Sequence, residues 1–202
     1  GSRRFSPESL SAMEKTAQFR AADRNPYSWN MDFIEYPDGS GYEVNLSVSS
    51  VELQDRKVVV PSTYENLPVT RIADKMFYKC ASLTEVVLPN TLKEIGANAF
   101  YNCDALESIE LPASVTAIGS SAFSGCLSLK KIVVPTGVER IEGSTFVGCS
   151  NLTEVVMPST LKEIMGMAFR NCEALKTVVL PSSLKDIGKG AFSNCPLESV
   201  FF

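Results

Sequence analysis

Six cysteines are the residues of this sequence with the most potential for chemistry, and they recur at one fixed interval. They lie 23 residues apart, at Cys80, Cys103, Cys126, Cys149, Cys172 and Cys195. Thiols can form disulfides, bind soft metals or act as nucleophiles. An even number of cysteines invites a disulfide assignment, but so strict an interval also indicates a structural repeat.

Nucleophilic and metal chemistry at these thiols lacks its usual partners. The chain contains no histidine, which removes Ser-His-Asp and Cys-His pairs and every zinc site that uses an imidazole. No glycine-rich phosphate loop and no calcium loop is present. We therefore predict that the protein is not an enzyme and has no cofactor and no metal site, with a hidden hydrolase activity as the remote alternative.

Two other residue types keep the same interval as the cysteines. Each unit follows the pattern C-x-x-L-x-x-[VI]-x-[LVM]-P-x-x-[LV]-x-x-I-G-x-x-A-F-x-[NG], with phenylalanines at 77, 100, 123, 146, 169 and 192 and prolines at 89, 112, 135, 158 and 181. A unit of this length cannot bury its apolar face alone. The repeat therefore predicts a solenoid in which successive coils stack on each other.

Alternating apolar residues predict a strand before each proline. Val86 and Leu88 should point inward, whereas Glu85 and Val87 should point outward. Pro89 ends the strand because it cannot donate to a hydrogen-bond ladder. The second half of the unit, TLKEIGANAF, predicts a turn or short strand followed by a 3₁₀ or single helical turn. Its inward side chains are expected at Leu92, Ile95, Ala99 and Phe100.

Stacking also bears on the role of the cysteines. Equivalent residues of successive coils form columns, so the thiols and the phenylalanine rings should each form one. Neighbouring thiols in a column point in parallel rather than toward each other, which is poor disulfide geometry. We favour buried free thiols, and disulfides or metal and redox chemistry are the alternatives.

Residues 58–202 resemble the bacterial leucine-rich repeat proteins of the BspA-like, Treponema pallidum type, whose 23-residue unit ends in IGxxAFxxC. The segments IGANAFYNC, IGSSAFSGC and IGKGAFSNC match it closely. The resemblance implies a right-handed leucine-rich-repeat solenoid of about six 23-residue coils with a parallel sheet on its concave face. It also implies a secreted or cell-surface bacterial protein that acts in adhesion or protein binding.

Two departures from the repeat carry structural predictions. Ala73, Glu142 and Met165 replace the glycine of the IG pair in three units. A left-handed conformation is unfavourable for such residues, so this position should not need a positive φ. Between Pro61 and Val69 the chain has five extra residues, which predict a bulged loop with the sequence STYENLP.

The N-terminal segment predicts a cap, because a solenoid needs one over the apolar face of its first coil. Residues 6–24 predict a helix, and residues 31–36 and 42–48 predict a hairpin around the turn signal Pro-Asp-Gly. A ligand platform around Trp29 is the alternative. The chain is thereby divided into two parts, a small α/β cap over residues 1–56 and the solenoid over residues 57–202.

The outward side chains of the concave strand face are the predicted partner-binding surface. They form a mixed column and a mostly valine column, with the candidates Glu85, Val87, Glu110, Lys131, Val133, Glu154, Val156 and Val179. An exposed apolar stripe often marks a partner surface, although valine also simply suits strands. Pairing across strands with Lys130 or Lys131 explains the glutamates without catalysis.

Charge and hydropathy exclude further partners. The net charge of −4 gives no reason to expect nucleic acid, and no apolar run approaches the roughly 18 residues of a membrane span, so we expect no membrane insertion. The Gly1-Ser2 start is typical of a trimmed tag, so the lack of a leader is uninformative. We predict an adhesin-like module, extracellular or on the cell surface, for an unknown protein or glycan. The alternative is a structural spacer that forms a weak homodimer through its C-terminal edge strand, residues 198–202.

Overall fold

The computed structural model describes residues 31–46 and 56–202. Within these residues the chain forms fifteen short β-strands and no helix. The first five strands are β1 (Met31–Glu35), β2 (Tyr42–Leu46), β3 (Lys57–Val59), β4 (Thr63–Tyr64) and β5 (Leu67–Ile72). The predicted helix over residues 6–24, Trp29 and the last two predicted hairpin residues, Ser47 and Val48, lie outside the described residues.

Each coil has three sides, two of which are strands. The strand side continues from β3 through β6 (Glu85–Val87), β9 (Lys131–Val133), β11 (Glu154–Val156), β13 (Thr177–Val179) and β15 (Ser199–Phe201). The short-strand side contains β7 (Glu94–Ile95), β8 (Ala117–Ile118), β10 (Arg140–Ile141), β12 (Glu163–Ile164) and β14 (Asp186–Ile187). The third side, here called the turn side, carries the phenylalanines and cysteines.

The predicted inward and outward positions are confirmed. Val86 and Leu88 are buried, while Glu85 and Val87 are exposed. The four inward positions of the second half-unit have no exposed surface, at Leu92, Ile95, Ala99 and Phe100. One continuous core therefore runs through the coils, built from equivalent side chains of each unit.

Parallel pairing between coils is confirmed, but it is interrupted on both strand sides. On the strand side the pairs are β3–β6, β9–β11 and β13–β15, and residues 108–110 form no strand. On the short-strand side a six-stranded sheet has the order β1-β2-β5-β7-β8 with β4 on β5, and a separate sheet has the order β10-β12-β14. Neither side has a ladder that links all coils.

The turn side has the ladder that is not interrupted, and here the prediction of a 3₁₀ or helical turn is wrong. The backbone N–H groups of Lys75, Phe77 and Lys79 donate to carbonyls of the next coil at 2.6–2.9 Å. The amides between them close turns within their own coil, as Tyr78 N–H does to Lys75 at 3.1 Å. A helix directs all its amides along one axis, whereas left-handed residues such as Lys75 (φ 58°) and Lys79 (φ 60°) turn alternate amides toward the neighbouring coil.

The phenylalanines form the predicted column of rings. Successive centroids lie 5.1–5.7 Å apart and the ring planes are within 18° of parallel. Five of these rings, from Phe77 to Phe169, have no exposed surface. They therefore fill the space between the turn side and the two strand sides.

The cysteines are free thiols that hydrogen-bond to the phenylalanine turns. Cys126 Sγ donates to the carbonyl of Phe100 at 3.1 Å, and the same bond to the preceding coil recurs at Cys103, Cys149, Cys172 and Cys195. Five of the six are buried, and Cys195 is partly exposed. Burial raises the pKa of the Cys80 and Cys149 thiols to about 12, so these side chains act as apolar residues with a weak donor.

The predicted hairpin is confirmed over β1 and β2, which pair in antiparallel fashion. β2 then pairs in parallel with β5, so the hairpin occupies the N-terminal edge of the short-strand side. The predicted bulged loop is itself a hairpin, β4 and β5, around a turn at Glu65 (φ 44°) and Asn66 (φ 67°). Its Tyr64 ring stacks on Phe33 at 4.2 Å and ties the two hairpins together.

Arg71 links the hairpin to the first two coils. Its guanidinium binds Glu43 of β2, Asp74 of the first turn at 2.9 Å and Glu94 of β7 at 3.2 Å. The hydrogen bond from Arg71 holds the pKa of Asp74 below its ordinary value. Asp74 also accepts the backbone N–H of Ala97, so one cation organises three elements.

The glycine of the IG pair serves close stacking and not a left-handed backbone, as predicted. Gly96 and Gly119 are absent from the positive-φ positions. A Cβ at Gly119 would lie 2.4 Å from the backbone nitrogen of Ala97 in the preceding coil. Where Glu142 and Met165 replace this glycine, the next residue is glycine instead.

Replacing Phe123 by alanine should lower the free energy of unfolding by about 3–5 kcal/mol, because the ring is fully buried and its removal leaves a cavity in the column. Urea unfolding followed by circular dichroism measures the loss. Phe202→Ala is the matched control, since Phe202 is 92% exposed and its truncation should change little. Equal effects of the two substitutions would contradict the column as the core.

Arg71→Met should lower the free energy of unfolding by about 1–2 kcal/mol at neutral pH, because it leaves three carboxylates without their shared cation. Asp74 has a depressed folded pKa, so its contribution is complete above the ordinary aspartate pKa of 3.8 and is lost as the pH falls through the folded value. Thermal melts from pH 7 to pH 2 measure this. The variant should lose less stability on acidification than the wild type, and parallel pH profiles would contradict the assignment.

Candidate functional site

All predicted partner-binding residues lie on the strand side and are exposed. The strands β6, β9, β11 and β13 share one pattern, in which the middle residue is buried and the two flanking residues face solvent. The structure thereby brings Glu85, Val87, Glu110, Lys131, Val133, Glu154, Val156 and Val179 onto one side of the solenoid. They form two columns, as the period predicted.

The valine column is the largest apolar feature of this surface. Val87, Val133, Val156 and Val179 are 41%, 50%, 39% and 58% exposed, which is high for residues in paired strands. Val133 faces Val156 in register, and Val179 faces Phe201, which is 54% exposed. Glu110 takes the same column position in the coil between Val87 and Val133 and interrupts the stripe with one carboxylate.

The mixed column beside the valines consists mainly of paired charges. Lys131 binds Glu154 at 3.2 Å, and Lys57 binds Glu85 at 3.0 Å. The predicted partner of Glu85, Lys130 or Lys131, is therefore wrong, because Lys57 of the preceding coil stands opposite it in register. Glu110 forms no ion pair within the described residues.

A second row of ion pairs borders the mixed column. Lys130 binds Glu107 at 3.1 Å and Lys176 binds Glu198 at 3.5 Å. The side chains are about two-thirds exposed, so each pair contributes little stability. These pairs instead affect the electrostatic potential of the strand side. Opposite charges alternate between coils and leave this surface close to neutral.

Lys57 and Val59 belong to this surface but were missed in the sequence. Their strand, β3, lies 28 residues before β6 because the five-residue insertion separates the two. A search at the strict interval of 23 residues therefore passes over them. The signal that identifies them is the stretch KVVVP, which repeats the alternating strand and its terminal proline.

The described residues contain neither a metal site nor a membrane-spanning helix, and burial affects the reactivity of the thiols. Within residues 31–46 and 56–202, no group of three Cys, Asp or Glu side chains is placed to hold a metal ion. No helix in that part of the chain is long and apolar enough to cross a membrane. The buried cysteines have raised pKa values, which disfavours the thiolate that a nucleophile needs.

A comparison with models of known protein families identifies the repeat. The family model described as BspA type leucine rich repeat region matches residues 70–198 in six copies. A search of curated proteins gave no match. The units that the model matches are the stacked coils described above.

Solved structures with the same coil come from several bacteria. The leucine-rich repeat protein of Treponema pallidum is 27% identical, with a TM-score of 0.67 over 83% of this chain and 87% of that one. A leucine-rich cell surface protein of Faecalibacterium prausnitzii is 26% identical, with a TM-score of 0.64 over 85% of this chain and 52% of that one. A leucine-rich repeat protein of Eubacterium ventriosum, 24% identical with a TM-score of 0.61, shares the fold over 89% of this chain and 52% of its own.

Proposed function

The chain belongs to the BspA-type leucine-rich repeat family, and we propose that it is a non-catalytic module that binds a protein partner through its strand side. Repeats of this kind commonly mediate protein binding. The observation that carries the proposal is the exposed valine column. The location of that column on rigid, regularly spaced strands makes it a preformed surface that pays little ordering entropy on binding.

The valine column supports binding because no other element of the described fold covers the outer face of its strands. Parallel strands usually have both faces covered by other elements. Here the inner face packs on the core, while Val133, Val156 and Val179 face solvent on the outer face. Burying these side chains under a partner removes apolar surface from water, which favours binding by about 25 cal/mol for each Å² buried.

The paired charges beside the column support a protein partner. A typical protein interface has an apolar centre and a polar rim, and the ion pairs Lys131–Glu154 and Lys130–Glu107 lie beside the valines as such a rim. Because the pairs cancel each other's field, the surface attracts neither polyanions nor polycations. Binding at this surface should therefore depend only weakly on salt.

A surface location accords with this function. The F. prausnitzii structure is named a leucine-rich cell surface protein, and its identity of 26% over most of this chain supports an extracellular or cell-surface position here too. At such a position the module would act as an adhesin that contacts a protein of another cell. The lack of histidine and the burial of five of the six thiols support the absence of catalysis.

The test is a binding screen of the wild type and a strand-side variant against immobilised cell-surface proteins. Val133→Lys with Val156→Glu places opposite charges in register, as in the neighbouring Lys131–Glu154 pair, so the variant should keep its fold. We expect the variant to bind at least about tenfold more weakly, because charge replaces the apolar centre. Surface plasmon resonance measures the affinities.

The control carries the same charges elsewhere. Ala117→Lys with Thr136→Glu changes two exposed residues away from the strand side. It should bind as the wild type does, and circular dichroism should show equal folding of all three proteins. Equal affinities of the two double variants would contradict the strand side as the binding surface.

We also propose self-association as a second function, on the basis of the last coil. Within the described residues β14 and β15 each pair on one side, and Ile187, Val200 and Phe201 are 44%, 42% and 54% exposed there. Unpaired strand edges with apolar side chains pair readily with a second copy. Sedimentation velocity should show a dimer that grows with concentration and is reduced by Val200→Lys, and a monomer at all concentrations would contradict this.

A further inference from the structure

Two tyrosines and two lysines form a patch on the turn side of the first two coils. The rings of Tyr78 and Tyr101 stack at 5.0 Å with an angle of 12° between their planes. The Nζ atoms of Lys75 and Lys79 lie 5.7 and 5.3 Å from the centroid of the Tyr78 ring. We call these four residues the tyrosine–lysine patch, which lies away from the valine column on a different side of the coil.

The repeat itself does not require these tyrosines. They occupy the variable position after each phenylalanine, which is exposed or partly exposed in five of the six coils and buried only at Ser124. The later coils have unrelated side chains there, at Ser124, Val147, Arg170 and Ser193. Stacking of the coils therefore tolerates residues of any size at this position, and two consecutive aromatic rings need another explanation.

The lysines occupy backbone positions that disfavour them. Lys75 (φ 58°) and Lys79 (φ 60°) are left-handed, a conformation in which the Cβ of an ordinary residue is strained. Elsewhere these positions are asparagine, glycine or serine, at Asn98, Ser121, Ser144 and Gly190 and at Asn102, Gly125, Gly148, Asn171 and Asn194, with Met167 (φ 60°) as the one exception. Strain that persists where the repeat offers a relaxed alternative is a basis for inferring function.

The charge of the patch is available to a ligand. Both lysines are exposed, and neither forms an ion pair within the described residues. The nearest carboxylate along the chain, Asp74, is bound by Arg71 and by the backbone of Ala97, and the charge of Lys75 contributes least to its lowered pKa. Two ammonium groups therefore stand beside an aromatic pair in a chain whose net charge is −4.

The Tyr101 ring, on the far side of the aromatic pair, is partly exposed. No ring stacks on Tyr101 from the next coil within the described residues, because the equivalent residue there is Ser124. Asn102, directly beside it, has both a donor and an acceptor in its side-chain amide. An apolar ring face with an amide next to it and ammonium groups one coil away offers three different kinds of contact.

We propose that the tyrosine–lysine patch binds an anionic polysaccharide. The carboxylate or sulfate groups of the sugar accept hydrogen bonds from Lys75 and Lys79, and a sugar ring packs its C–H face on Tyr101. A single-stranded nucleic acid would need a continuous basic track along its backbone, which two lysines do not provide. This binding is independent of the valine column, so the two proposals succeed or fail separately.

The decisive variant exchanges the lysines for the residue that other coils use. Lys75→Asn with Lys79→Asn removes both charges and relieves the left-handed strain, since asparagine adopts this conformation readily. We expect its melting temperature to equal or exceed that of the wild type. Polygalacturonate, which has carboxylates, and chondroitin sulfate, which also has sulfates, are the probes, with neutral dextran for comparison. Isothermal titration calorimetry measures the binding.

We expect the wild type to bind at least one polyanion and not dextran, with affinity that falls as salt rises. The asparagine variant should bind at least about tenfold more weakly, and Tyr101→Ser, which copies Ser124, should also weaken binding. Lys185→Gln with Lys189→Gln removes two exposed lysines of the last coil, which form no ion pair within the described residues, and should have no effect. Lack of polyanion binding by the wild type, equal binding of dextran, or unchanged binding by the asparagine variant would each overturn the proposal.

Discussion

The hydrogen-bonded turn around each phenylalanine is the interaction on which the rest of the structure depends. The phenylalanine N–H donates to the next coil. Its carbonyl accepts the backbone N–H of the nearby cysteine and the thiol of the cysteine one repeat later, as Phe100 does from Cys103 and Cys126. Three such inter-coil amide bonds recur at each of five successive interfaces, whereas the ladders of the two strand sides are interrupted. The turn side therefore sets the register of the coils. One inserted residue there would break the hydrogen bonds, the ring column and the thiol column together.

This constraint explains the residue types of the repeat. Each coil needs two left-handed residues around its phenylalanine, which favours asparagine and glycine at those positions. The thiol is small enough to fit between coils and still donates to the carbonyl of a phenylalanine in the preceding coil. Charged side chains lie outside the buried phenylalanine and cysteine columns. There Lys and Glu of neighbouring coils form ion pairs, as Lys162 does with Glu139 at 2.9 Å. The fold thus separates positions that hold it together from positions that are free to bind.

The same separation decides what could be predicted from the sequence. The spacing of apolar residues indicates which positions are buried. It therefore predicts the buried columns, the exposed valines and the N-terminal hairpin. The turn was mistaken for a helical turn because Ile95, Ala99 and Phe100 have helix-like spacing, and a left-handed residue such as Lys75 has no signature in the sequence. The ion pairs of Arg71 join elements that are distant in sequence, and the pair Lys57–Glu85 joins strands whose spacing is changed by the insertion. Contacts of this kind appear only when the coils are stacked.

Because stacking uses the backbone of the turn side between coils, partners along that side must be recognised by side chains. Alternate amides there donate to the next coil and the others close turns, so within the described residues a row of free donors is left only at the last coil, as at Phe192 and Asn194. Backbone pairing can extend the described sheets only at their edge strands, such as β1 at one end and β14 and β15 at the other. Along the body of the solenoid, specificity arises instead from which outward residues each coil presents. A mostly apolar column on the strand side and a cationic aromatic patch on the turn side therefore present chemically different surfaces, and both are built from outward side chains that the core does not need.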